Sequence, residues 1–203
     1  MAQKKSCADA VDLYEDVIKC PGQKRLPGTR AYGWFIRRAY ITKLAEPQKE
    51  AATALKDYLV IKESHTLQAD KKWIRLEFIP DKSSMAPEAQ GEEGSKTMNN
   101  KATVVLPGTE EEQQAVASML LNDDVIVLVP QRNGKVRQFG DDAFTVNVTP
   151  SATTGASVTD ESNTTLEISV ACETMPPFYY GDIVTADGTY SGETCKLKTV
   201  SDV

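Results

Sequence analysis

Apolar residues in this chain recur mainly at every second position, the spacing of a half-buried strand. Over residues 30–41, Tyr32, Trp34, Ile36 and Tyr40 fall on one face and Arg37 on the other. Their aromatic and β-branched content predicts a strand. Within 71–80, Ile74, Leu76 and Phe78 alternate with Trp73, Arg75, Glu77 and Ile79, which predicts an even-numbered core face. The pattern returns in 164–173, where Leu166, Ile168, Val170 and Cys172 share a face. Further strands are predicted at 58–62, 102–106, 124–130, 135–139, 144–149 and 195–200, and a hairpin at 182–190 turning at Asp187-Gly188. Asn133-Gly134 predicts a tight type I′ hairpin turn, in which both positions take positive φ.

A helical period appears in three places. Ala10, Leu13, Tyr14, Val17 and Ile18 space a short helix over 9–19, ended by Cys20-Pro21-Gly22, with an irregular arm as the alternative. Pro47 opens a short helical stretch through Leu55. The best-formed helix starts at Thr109, with a capping box to Glu112 and a buried stripe of Ala115, Val116, Met119 and Leu120. Residues 81–100 show no hydrophobic period and contain Pro87, Gly91 and Gly94, so they read as a long loop. The organisation expected is an arm or short helix over 1–25 and a single β-rich domain over 26–203. Nine or ten short strands without βαβ alternation predict a mainly β fold. It is a β-sandwich or partly closed barrel with one flanking α-helix.

Composition narrows the classes. The 203 residues are 40% hydrophobic and 26% charged, which suits a folded chain. The longest aliphatic run, Val125 to Val129, is far too short for a membrane helix. Residues 1–7 begin with Lys4 and Lys5 like a secretory leader, but Asp9, Asp12, Glu15 and Asp16 interrupt any apolar core. The net charge is -6. Residues 144–203 hold two basic side chains, Lys196 and Lys198, against eight acidic ones, and supply the whole imbalance. Such a surface is expected to repel nucleic acid, the alternative being ordinary solubility charge.

The chemistry expected of an enzyme is missing. There is no phosphate-binding loop, dinucleotide fingerprint or nucleophile elbow. Cys7, Cys20, Cys172 and Cys195 form no C-x-x-C pair, and the lone His65 reads as solvated in a polar connector. Reduced thiols are expected, although a Cys7–Cys20 bridge is conceivable. Asp123-Asp124 and Asp141-Asp142 suit turns better than a calcium loop. Lys24, Arg25, Arg30, Arg37 and Arg38 around Tyr32, Trp34 and Phe35 resemble a single-stranded nucleic-acid surface, but alternation splits them between two faces. No catalytic, cofactor-binding or metal residue is assigned.

Three segments carry a resemblance. They are Leu26-Pro27-Gly28-Thr29-Arg30-Ala31-Tyr32, the stretch from Asp124 through Asn133-Gly134 to Gly140, and Thr154-Gly155 with Asp160 followed by Pro176-Pro177-Phe178-Tyr179-Tyr180-Gly181. In this order they resemble the small tail and ring-forming virion proteins of tailed bacteriophages. Phages of Bacteroides-type bacteria, the crAss-like phages among them, are the nearest in kind. The resemblance implies a tail-tube-like β-sandwich or barrel that is not an enzyme and needs no cofactor. It implies homo-oligomeric rings or tubes of the tail or portal-proximal connector, contacts with other tail or portal proteins, and no membrane. Packaged DNA would pass through without specific binding, in a virion assembled in the host cytoplasm. The alternative is a β-rich binding module for carbohydrate or single-stranded nucleic acid.

Overall fold

The computed structural model describes residues 13–23 and 25–198. Fifteen strands and one α-helix occur in this part of the chain, and the fold is mainly β. The strands are β1 Tyr32–Arg37, β2 Ile41–Lys43, β3 Val60–Ile61, β4 Thr66–Leu67, β5 Ile74–Glu77, β6 Ser84–Met85, β7 Glu88–Gln90 and β8 Thr97–Pro107. Helix α1, Glu111–Leu120, follows. Then come β9 Val125–Pro130, β10 Val136–Phe139, β11 Asn147–Thr153, β12 Asn163–Cys172, β13 Phe178–Tyr179, β14 Asp182–Thr185 and β15 Gly188–Ser191.

Two sheets face each other. A six-stranded sheet runs β3-β13-β10-β9-β1-β5, and a five-stranded sheet runs β11-β12-β8-β6, with β7 also on β8. Between them lie Phe35, Val127, Val129 and Phe139 from the first sheet and Val104, Leu106, Val148, Leu166, Ile168 and Val170 from the second. The first sheet is covered on its other face too. There Trp34, Ile36, Ile126, Leu128 and Val136 meet Ile183 and Cys195 from the β14–β15 region, with Ile41, Ile61 and Trp73. Burial on both faces explains why Val125–Pro130 reads as an unbroken apolar run. At one corner the sheets join: the Ile79 amide donates to the Val105 carbonyl at 2.7 Å, and the Val105 amide donates to Ser83 Oγ at 3.1 Å. This partly closes the sandwich.

Several expectations change. Residues 13–19 are not helical, and 9–12 of that predicted helix lie outside the described residues. The stretch 81–100 is not a structureless loop. It holds β6, β7 and the start of β8, which pair as Ser84↔Thr103 and Glu88↔Asn99. Its polar composition hid the strands because their side chains are mostly exposed, and the backbone ladder alone holds them. The strand over 30–41 breaks into a 3₁₀ turn at Arg38–Tyr40, and the stretch after Pro47 forms two 3₁₀ turns rather than a helix. In 71–80, Leu76 and Phe78 of the expected even-numbered face pack in the core, but Ile74 is exposed and Trp73, on the opposite face, is buried in the second cluster. The ladder of β11 reaches Thr153, beyond the predicted end at 149. Within 195–200 only a bridge from Leu197 to Tyr190 forms among the described residues. The hairpin at β14–β15 and the inward face Leu166, Ile168 and Val170 agree with the pattern.

The capping box does not form. Glu110 is the N-cap and makes no side-chain cap bond, while Thr109 Oγ1 pairs with Ser162 Oγ at 3.0 Å. The buried stripe of α1 is Val116, Ala117 and Leu120; Ala115 is exposed and Met119 is 65% exposed. The Asn133-Gly134 turn is not type I′, since Gly134 takes φ 94° but Asn133 is not among the positive-φ residues. The Gly134 amide donates to the Gln131 carbonyl at 2.9 Å, and Asn133 Oδ1 accepts from the Lys135 amide. This is the longer hairpin loop in which a turn is followed by a left-handed glycine.

Candidate functional site

A cleft of about 700 Å³ lies at one end of the six-stranded sheet. Three segments wall it: the 45–51 turn region, the loop 140–144 after β10, and the loop 172–177 after β12. Ala45, Ile61 and Gln138 are buried and form its floor, and Phe144 and Pro177 add apolar wall. Its lining includes Glu46, Glu50, Asp141, Asp142, Glu173 and Lys49. Lys49 Nζ pairs with Glu173 at 3.0 Å, and Asp142 pairs with Arg38. Asp141 Oδ1 accepts from the amides of Ala143 and Phe144, which holds the loop in shape.

Under the floor lies a polar network that sequence reasoning missed. His65 is buried, contrary to its reading as solvated. The Ala45 amide donates to its Nδ1 at 3.0 Å, so Nε2 carries the proton and donates to Gln138 Oε1 at 2.8 Å. Gln138 Nε2 then donates to the Gly140 carbonyl at 3.0 Å. The His65 amide donates to the Tyr179 hydroxyl, which donates to the Asp182 carbonyl, and the two rings stack at 4.7 Å. Burial lowers the His65 pKa to about 4; the Gln138 bond opposes this and nearby Arg38 adds to it. Both ring nitrogens are committed to other groups, so this histidine pins the 45 and 138–140 segments together rather than moving protons. No local signal in Lys62-Glu63-Ser64-His65 announces that role, because its partners come from 20 and 73 residues away.

The other candidate groups are dispersed. Trp34 and Phe35 are buried on opposite faces of the sheet. Arg37 pairs with Asp123, and Arg38 with Asp142. Arg30 reaches the Tyr32 hydroxyl and the Cys195 carbonyl. Lys24 lies outside the described residues, so no shared basic–aromatic face assembles from the rest. Cys20, Cys172 and Cys195 are free thiols; Cys7, and with it a Cys7–Cys20 bridge, lies outside the described residues. Burial pushes the Cys172 thiol up to about 11, with Asp141 adding to it, and burial likewise raises Cys195. Among the described residues no group of three or more His, Cys, Asp or Glu is placed to hold a metal ion. No helix of the described residues is long and apolar enough to cross a membrane.

The acids of 144–203 do not form one wall. Glu161 pairs with Lys82, Glu173 with Lys49, Asp182 with Lys198 and Asp187 with Arg75. Asp160 Oδ2 accepts from the amides of Ala156 and Ser157. Comparison with family models, curated proteins and solved structures found no match to this chain.

Proposed function

We propose that this protein is a virion structural subunit of a tailed bacteriophage. It assembles into a ring or tube of the tail or portal-proximal connector, contacts other tail or portal proteins, and lets DNA pass without gripping it. It performs no catalysis and uses no cofactor. One observation supports this reading: the described residues just before Leu26 expose large apolar side chains. Residues 15–23 and 25–28 are exposed, with Val17 at 85% and Ile18 at 77%. Large apolar side chains held in water are the mark of a surface awaiting a partner. Glu88–Gln90 of β7 are also exposed.

The outer face of β11 and β12 fits the DNA-passage part of the proposal. It presents Asn147, Thr149, Ser151, Thr165, Glu167 and Ser169 and carries no lysine or arginine. Phosphates are held mainly by Lys and Arg, and the one lysine beside these strands, Lys101 of β8 opposite Ser169, is paired with Glu88, so this face gives DNA little to hold. Light scattering and electron microscopy of the purified chain test the reading. Rings or tubes are expected, and a monomer at tens of micromolar chain overturns it. The cleft favours a second reading, a small-ligand binding module, because its volume lies in the range of ligand pockets. A monomer that binds oligosaccharide would establish that reading instead.

A further inference from the structure

We infer that the Glu92–Glu93 tip of the β7–β8 hairpin binds the Lys135, Arg137 and Phe178 patch of a second copy of this chain. The inference rests on the assembly reading and names the contact that makes it.

The patch gathers two cations on one ring. Arg137 of β10 stands opposite Phe178 of β13. Its guanidinium stacks 3.5 Å from the Phe178 ring centroid, and Lys135 Nζ lies 5.3 Å from the same centroid. Arg137 Nη1 donates to the Pro176 carbonyl at 2.6 Å. Among the described residues no carboxylate lies within ion-pair distance of Lys135 or Arg137.

That arrangement calls for an anion. Arg137 is half-buried, and burial lowers its pKa to about 10, with Tyr180 opposing the shift. A charge drawn out of water is normally paired, because an unpaired one forfeits its hydration. The ring covers one face of the guanidinium, and Pro176 takes one of its five N–H groups. The remaining edge suits a carboxylate, which meets such a fork with two parallel bonds. The Lys135 ammonium beside it suits a second carboxylate. The occupant is therefore a pair of adjacent acids.

The chain carries such a pair on a hairpin tip. Glu92 and Glu93 are exposed, and among the described residues no cation pairs with either. They lie beyond the last ladder pair of the hairpin, Gln90↔Thr97. Positive φ at Gly91 and Gly94 shapes the tip, and the Ser95 amide donates to the Glu92 carbonyl at 3.1 Å. Lys96 is the one cation of the tip, which stays net acidic. Glu88, lower in the hairpin, is already held by Lys101. Glu111 and Glu112 are also adjacent, but they stand in the first turn of α1, whose positive end they suit. Tip and patch are unlike surfaces, so their contact is heterologous, and repeating it closes a ring or extends a tube.

The experiment is a charge swap in the full chain, read by light scattering across a concentration series. Glu92→Lys/Glu93→Lys and Lys135→Glu/Arg137→Glu are each expected to weaken assembly about tenfold, the effect of two partly screened ion pairs. An equimolar mixture of the two should assemble like the parent, since each then offers the other a complementary surface. Circular dichroism checks that each variant keeps its β signal. If Lys135→Glu/Arg137→Glu loses it, Lys135→Glu alone, at an exposed position, takes its place with a smaller expected weakening. If the parent assembles and Glu92→Lys/Glu93→Lys assembles equally well, the contact is overturned while the assembly reading stands. Weakening by both variants without rescue on mixing also overturns the contact, since the two sites then act separately. Double-stranded DNA that binds the parent at low salt but not Lys135→Glu would make the patch a phosphate grip and overturn the contact as well. A parent chain that stays monomeric overturns both readings.

Discussion

His65 sits where the physics of a single ring governs the behaviour of the cleft. Its imidazole is neutral in the fold, with a pKa of about 4, because burial disfavours the charged ring. In the unfolded chain an ordinary histidine titrates near 6.5. Above that pH the ring is neutral in both states and the network is intact. Between about 6.5 and 4 the unfolded chain takes up a proton that the folded one refuses, so stability falls as pH falls. The loss amounts to about 3 kcal/mol across that window. Denaturant titrations at pH 7.5 and 4.5 should show it, and His65→Asn should flatten the slope attributable to this site. An unchanged slope in that variant would assign the acid sensitivity to the carboxylates. The thiols make a second residue-scale case. Cys172 and Cys195 are held in the thiol form by burial, and only the thiolate reacts. Brief alkylation of the native chain at pH 8 should label the exposed Cys20 and leave Cys172 and Cys195 unmodified, as read by peptide mass mapping.

Elements show where periodicity alone decides and where it does not. Alternation in 164–173 identified its inner face because β12 is covered by core on one side and open on the other. The apolar run of β9 showed a strand but not that both faces are covered, which depends on a hairpin 50 residues later in the chain. Residues 81–100 carried no legible signal, since β6 and β7 bury little and depend on pairing to β8. The cleft was invisible for a related reason: its walls come from three separate segments, and its histidine is fixed by non-local partners. Helix α1 gives a sharp contrast of adjacent residues. Its stripe is rotated from the one the spacing implied, because Val116, Ala117 and Leu120 meet the sandwich while Met119 faces out. Leu120→Ala should therefore cost about 2–5 kcal/mol, as buried leucines do. Met119→Asp should change stability by less than about 0.5 kcal/mol, as exposed substitutions do. Thermal melting of the two variants checks this, and a large loss in Met119→Asp would mean that the helix docks by its other face.

At the scale of the whole molecule, the edges of the sandwich bear on how copies can meet. β11 is an outer strand, paired only with β12, and Pro150 within it has no amide hydrogen to offer. Prolines on edge strands discourage sheet-to-sheet extension. Copies that met by continuing this sheet would forfeit hydrogen bonds there. In the proposed assembly the β11–β12 face would line the passage. That placement has a measurable consequence for nucleic acid. DNA binding driven by counterion release weakens steeply with salt, in proportion to the cations engaged. The outer face of β11 and β12 has none, and Arg37, Arg38 and Lys82 are paired with carboxylates. Double-stranded DNA at low salt, where screening is weakest, should therefore show no saturable binding by filter retention or fluorescence anisotropy. Tight binding that collapses as salt rises would assign a grip to the protein. The exposed Arg25 would then be the first residue to map, and the passive passage proposed for this subunit would fail.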